Sequence, residues 1–178
     1  VGIELYQQML EEAVAQAKSG SFDGEIDQGW SPQINVGASV MIPERYVKDL
    51  KLRMSLYRRI AGLDDKNDVD AFGAELIDRF GTLPEEVEHL LKIIEIKQYC
   101  RRAGIEKIET GPKGAIISFR NSKFANPGGL IEFLTKQGSV TKLRPDHKLV
   151  YVRKWSKIES RLIGSLNLSK AMAKIAEK

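Results

Sequence analysis

The sequence predicts an α+β fold in which a helical bundle is followed by a small, mostly antiparallel sheet covered by helices. Two observations support this prediction. Between a first strand and Gly104, apolar residues recur with the 3.6-residue period of helices, whereas after Gly104 short segments follow the two-residue period of strands. Those strand segments form two pairs, each followed by a helix, which gives the order ββαββα.

The composition is that of an ordinary globular chain, with 178 residues, 42% hydrophobic and 29% charged. No apolar run approaches the roughly 18 residues of a membrane span, and the first residues lack a secretory pattern, so we expect a cytoplasmic protein that contacts no membrane. One cysteine, Cys100, and two histidines exclude an internal disulfide framework and a structural zinc site. Cys100 lies on an apolar helix stripe, which favours a buried and unreactive thiol.

Residues 1–32 differ from the rest of the chain. Apolar residues at helical spacing predict an amphipathic helix over residues 3–18, and the Gly- and Ser-containing stretch 19–32 predicts a flexible linker. Residues 1–30 carry six acidic side chains and one basic side chain, a net charge of −5. We therefore expect the first helix to be tethered to a body formed by residues 33–178.

The body begins with apolar residues that alternate from Ile34 to Ile42, which predicts a half-buried strand ended by Pro43. A first helix of the bundle then carries apolar residues from Leu50 onward and ends at Gly62.

The second helix of the bundle has the clearest pattern. Asp64 or Asp65 is its predicted N-cap, and Gly81 ends it. Its predicted core stripe consists of Val69, Phe72, Leu76, Ile77 and Phe80.

A third, longer helix opens with a predicted capping box of Thr82 and Glu85, with Pro84 in its first turn, and runs to Gly104. Because short connections join the three helices, we expect them to pack as a bundle.

The first predicted hairpin has strands over residues 105–110 and 115–119, joined by a Gly-Pro-Lys-Gly turn. The short helix that follows has Asn126 as N-cap, Pro127 at its first position and Gly138 at its end.

The second predicted hairpin has strands over residues 140–143 and 148–152. Ser156 and Glu159 form a predicted capping box that opens the last helix, whose apolar residues continue to Met172.

Sequence patterns of common catalytic sites are missing. The chain contains no Gly-x-x-x-x-Gly-Lys-[Ser/Thr] loop and no Gly-x-Gly-x-x-Gly between a strand and a helix, and no nucleophile–histidine set stands out. We therefore expect this chain to be no enzyme and to hold no cofactor of its own.

The acidic residues of the second helix are the most informative. Glu75 and Asp78 are three residues apart on its outer face, so their carboxylates repel each other unless a cation lies near. That cation has two sources. Arg79, four residues after Glu75, supplies one within the helix, worth only about 0.2–0.5 kcal/mol. Arginines of a partner surface would be the other source, in which case the pair is a docking site.

Four segments of the sequence resemble, in this order, the C-terminal domain of the bacterial transcription-repair coupling factor (Mfd) family of DNA translocases. The Arg-x-x-Leu-Tyr-Arg-Arg and Glu-Leu-x-Asp-Arg-Phe-Gly pieces are specific in combination, and the resemblance covers essentially the whole chain. The segments are residues 1–13, Ile42-Pro43 with Tyr46-Val47, residues 53–61 and residues 75–84.

The resemblance implies a regulatory role. It implies that this domain folds back on a UvrB-like N-terminal module of the same chain, covers its UvrA-binding surface, and is released when the parent engages RNA polymerase and moves on duplex DNA. ATP and Mg would belong to the parent's ATPase motor, whose tail is residues 1–18. The positions that match the family's acidic contacts are Glu75 and Asp78, and we add Arg79 to the interdomain contact.

The alternative function is an accessory nucleic-acid-binding module. Residues 139–178 carry ten basic and three acidic side chains, a net charge of +7. Tyr151 or Trp155 would stack on a base, although both fit packing in the hairpin or core equally well. The candidate phosphate contacts are Arg144, Lys148, Arg153, Lys154 and Lys157.

Overall fold

The structure is a computed structural model and describes residues 30–178. The predicted helix over residues 3–18 and most of the predicted linker lie outside the described residues. The described chain contains five α-helices and a five-stranded sheet, which confirms the α+β class. It forms two compact units: residues 39–94 belong to the first, and residues 30–38 with 95–178 form the second. No described helix is both long enough and apolar enough to cross a membrane.

The first unit contains helices α1 (Leu50–Ala61) and α2 (Lys66–Phe80) and the beginning of α3 (Glu85–Ala103). Asp65 rather than Asp64 caps α2, since its carboxylate accepts the N–H of Asp68 at 2.9 Å.

The core of the first unit joins the segment before α1 to all three helices. The buried Tyr57 hydroxyl accepts the N–H of Ile42 at 2.7 Å, and the buried Arg53 guanidinium donates to the carbonyl of Val47 at 2.7 Å. These bonds satisfy backbone groups that the core would otherwise leave without partners. The apolar core consists of Ile42, Val47, Leu56, Tyr57, Ile60, Val69, Phe72, Leu76, Val87, Leu90 and Ile94.

Ile77 was wrongly predicted to face this core. The buried stripe of α2 is formed by Val69, Phe72, Gly73 and Leu76, whereas 51% of Ile77 is exposed. One residue further along a helix rotates the side chain by about 100°, which takes Ile77 from the direction of Leu76 to the outer surface.

The predicted strand over residues 34–42 is also wrong in length. Only β1 (Gln33–Asn35) is a strand, because Gly37 adopts a positive φ of 69° that turns the chain, with its N–H bonded to the Asn35 side chain at 3.3 Å. β1 joins the sheet in parallel to β2 (Ile105–Gly111), with Gln33 opposite Lys107.

The sheet of the second unit contains both predicted hairpins. β2 pairs antiparallel with β3 (Gly114–Phe119), and β4 (Thr141–Leu143) pairs antiparallel with β5 (Leu149–Val152). β3 and β5 are also antiparallel neighbours, so the strand order is β1-β2-β3-β5-β4.

Helices α4 (Pro127–Gln137) and α5 (Ile158–Ala176) contact strands β4 and β2, respectively. The Asn126 side chain caps α4 by accepting the N–H of Gly129 at 3.0 Å, as predicted, and donates to the carbonyl of Ile175 in α5 at 3.0 Å. The sheet positions with buried side chains include Ile108, Ala115, Ile117, Thr141 and Leu149.

The predicted capping box at Ser156 is wrong. α5 begins at Ile158 with Lys157 at the N-cap, which forms no side-chain cap bond. The preceding Trp155 is buried and its N–H bonds to the carbonyl of Pro112 at 2.9 Å, so the chain stays extended past Ser156.

Candidate functional site

The end of α2 is anchored so that its outer face stays exposed. The Tyr46 hydroxyl contacts two carbonyl oxygens at the end of this helix, that of Leu76 at 3.0 Å and that of Gly81 at 2.7 Å. Leu76 is buried beneath, while Asp78 and Arg79 lie on the exposed side and Glu75 is half-buried between them. The three residues predicted as an interdomain contact therefore share one end of α2.

Glu75 is held by two arginines of its own unit. Both guanidinium nitrogens of Arg59 in α1 donate to the Glu75 carboxylate, Nη2 to Oε1 at 2.8 Å and Nη1 to Oε2 at 2.5 Å. Arg79 adds a hydrogen bond from Nη1 to Oε2 at 3.0 Å, which is the expected i,i+4 pair. The cation beside Glu75 is therefore supplied within the chain, and mainly across two helices.

The charges of this cluster stabilise one another. Hydrogen bonds from Arg59 and then Arg79 lower the pKa of Glu75 from 4.5 to about 2, and the bond to Glu75 raises the pKa of Arg59. The guanidinium of Arg59 also lies 5.0 Å from the ring centroid of Phe72. An aromatic face attracts a guanidinium, so the ring fixes Arg59 while the carboxylate orients it.

Asp78 is in a different position from Glu75. It is exposed, and among residues 30–178 its carboxylate forms no hydrogen bond or ion pair. A partner cation can bind Asp78 without displacing an existing bond, whereas binding Glu75 requires competition with Arg59. The two predicted acidic contacts are therefore not equivalent.

Sequence reasoning missed Arg59 as a member of this site. Arg59 lies sixteen positions before Glu75, so no helical spacing rule connects the two residues. The only available indication was the position of Arg59 within the Arg-x-x-Leu-Tyr-Arg-Arg piece.

The five basic residues considered for nucleic acid binding do not form one group. Strand β5 separates Arg144 and Lys148, at its beginning, from Arg153, Lys154 and Lys157, beyond its end. Arg144 forms an ion pair with Asp146 at 2.8 Å, and Arg153 donates to the Gln137 side chain at 3.0 Å.

The two aromatic residues considered for base stacking pack internally. Trp155 is only 7% exposed, and its ring lies 5.9 Å from that of Tyr151. The guanidinium of Arg153 lies 4.1 Å from the Tyr151 ring centroid. Neither ring presents a free face of the kind that stacks on a nucleotide.

A groove of about 320 Å³ lies on the second unit, next to the turn between β4 and β5. Its charged lining residues include two lysines, Lys107 and Lys148, and two acids, Glu106 and Asp146. Charges of both signs in equal number give the groove no preference for an anion or a cation.

Comparison with known proteins identifies the family. The family model described as the TRCF domain matches residues 36–130, which include α1, α2 and the acidic residues of the site. The chain belongs to the TRCF domain family. This membership confirms the resemblance found in the sequence.

Relatives of this TRCF domain are named transcription-repair-coupling factor. One from Rickettsia bellii is 43% identical over 155 residues, covering 86% of this chain and 14% of the relative. One from Escherichia coli is 32% identical over 164 residues, covering 91% of this chain and 14% of the relative. The chain thus spans about a seventh of the length of these relatives.

The fold is that of a solved TRCF domain. A crystal structure of the C-terminal domain of transcription-repair coupling factor matches with a TM-score of 0.66 and 21% identity, over 83% of this chain and 95% of that one.

Proposed function

We propose that this chain is the autoinhibitory C-terminal domain of an ATP-dependent DNA translocase that couples transcription to nucleotide excision repair. The outer face of α2 docks on the UvrB-like module of the same protein and masks its UvrA-binding surface. Engagement of stalled RNA polymerase and movement on duplex DNA release the domain. ATP and Mg act in the upstream motor, and this domain contributes neither catalytic residues nor a cofactor site.

The observation that carries the proposal is the unpaired carboxylate of Asp78 beside the Glu75–Arg79 pair. An exposed carboxylate without a partner gives an arginine of the docking module a charge-assisted contact at no internal cost. Glu75 then acts mainly by positioning Arg59 and Arg79 at the border of the surface.

A docked state built on exposed charges is weak between separate molecules, since such pairs contribute only about 0–1 kcal/mol each. Within one chain, the tether raises the effective concentration to the order of millimolar. The combination gives a contact that keeps the resting protein closed and still opens when another partner binds.

The nucleic-acid alternative has weaker support. Arg144 and Arg153 are engaged with neighbouring side chains, and Trp155 is buried. A binding role would leave only separated lysines as phosphate contacts.

The test compares UvrA binding by the full-length protein with and without Asp78→Arg. Charge reversal should open the protein and raise its affinity for UvrA, while the thermal unfolding temperature stays unchanged because Asp78 has no partner among residues 30–178. Glu106→Arg is the matched control, because Glu106 is an exposed acid of the second unit without an ion pair among the same residues. Equal UvrA affinity in all three proteins would contradict the masking role.

A further inference from the structure

The outer face of α2 has a shallow depression at Ala74. Its helical neighbours at positions i−4, i+3 and i+4 are Asp70, Ile77 and Asp78, and all four residues are exposed. The single methyl group of Ala74 is shorter than the three side chains around it. We call these four residues the Ala74 notch.

The notch combines an apolar wall with negative charge. Ile77 is 51% exposed, although it is one of the largest aliphatic side chains of the helix. Like Asp78, Asp70 forms no hydrogen bond or ion pair through its carboxylate within the described part of the chain. The notch therefore carries two acids and no base of its own.

An arginine side chain complements this surface. Its aliphatic stem packs on apolar groups while its guanidinium bonds a carboxylate in a bidentate manner. A lysine fits less well, because its ammonium is more strongly hydrated and cannot bond a carboxylate in the same planar way.

The same unit contains an example of this arrangement. Arg59 binds the carboxylate of Glu75 while its guanidinium lies 5.0 Å from the ring centroid of Phe72. In that pair, an arginine from one helix uses an α2 carboxylate and an apolar α2 side chain together. The notch offers a corresponding set, Asp78 and Ile77, on the opposite border of Glu75.

We propose that the Ala74 notch binds one arginine side chain of the UvrB-like module. Its stem lies across Ala74 against Ile77, its guanidinium bonds Asp78, and Asp70 adds to the negative field. This inference rests on the proposed function and specifies which residues of α2 make the docking contact. It makes Ile77, which no charge-based argument would choose, a determinant of closure.

The experiment measures the affinity of the full-length protein for UvrA in two notch variants. Ala74→Gln fills the notch with a longer side chain of high helix propensity, and Ile77→Ala removes its apolar wall. Each should raise the affinity for UvrA several-fold by weakening closure, whereas Ile77→Leu should remain closed. Ile131→Ala is the matched control, since Ile131 is a 62% exposed isoleucine of α4.

Thermal unfolding of every variant checks that the domain remains folded, which is expected because both positions are exposed. If Ala74→Gln and Ile77→Ala bind UvrA like the wild type while Asp78→Arg binds it more tightly, the notch is overturned and the proposed function stands. If Asp78→Arg also behaves like the wild type, the proposed function fails and the notch fails with it.

Discussion

The indole ring of Trp155 lies directly against the backbone of Gly164 in α5, in the space where any other residue would place its Cβ. This contact lets the chain before α5 lie flat on the helix and keeps Trp155 buried. Gly164 is therefore required for close approach rather than for an unusual backbone conformation.

Gly164→Ala should destabilise the domain by about 1–3 kcal/mol, because the added methyl group overlaps the indole ring and forces it to move. Urea unfolding followed by tryptophan fluorescence measures the change. Gly128→Ala in α4 is the control, since its Cβ would have only the Asn126 side chain nearby, at 3.8 Å. That control should be neutral or slightly stabilising, and an equally neutral Gly164→Ala would contradict the close contact.

Glu75→Gln should remove a pH-dependent part of the stability. The folded-state pKa of Glu75, about 2, lies below its ordinary value of 4.5. The stabilisation by the ionised form is therefore complete above pH 4.5 and is lost as the pH falls toward 2. Urea unfolding of both proteins between pH 6 and pH 2.5 should show the wild type more stable at pH 6 and a shrinking difference in acid. A difference that stays constant over this range would argue against the ionised pair with Arg59.

Tyr46→Phe should lower stability by about 1 kcal/mol, because the hydroxyl that contacts the carbonyls of Leu76 and Gly81 is lost. Amide hydrogen exchange should also accelerate in the last turn of α2. Tyr99→Phe serves as the comparison, since its ring remains beside Arg102 while no hydrogen bond of its hydroxyl is found within residues 30–178. Equal effects of both variants would show that the Tyr46 hydroxyl does not anchor the helix.

The Cys100 thiol should be unreactive in the folded domain. Burial raises its pKa from 9.0 to about 12, and the side chain has no exposed surface. A chromogenic disulfide reagent at pH 8 should therefore react at a rate that follows unfolding as urea is added. Fast labelling without urea, at a rate similar to that of free glutathione, would contradict the buried position.

Local patterns were sufficient for most elements but not for long-range pairings. The hairpins were predictable because their turns lie between the paired strands, and α4 was predictable because Asn126 and Gly138 mark its ends. The parallel pairing of β1 with β2 has no local pattern, since the partners are far apart in the chain.

The candidate site divides in the same way. The Glu75–Arg79 pair follows from helical spacing, whereas the bond from Arg59 depends on how α1 packs on α2. Ile77 was misplaced because an apolar residue at the border of a stripe looks like a core residue until the rotation of the helix is known.

The order of segments along the chain has a consequence for how the domain is made. β1 precedes the first unit, and its partner β2 follows it, so the second unit is discontinuous and the first unit is enclosed within it in sequence. During synthesis, α1 and α2 emerge before the sheet exists, while β1 waits without a neighbour. The docking face of α2 is thus complete before the last strand of the sheet has been translated, and closure of β1 onto β2 joins the oldest part of the described chain to one of its later parts.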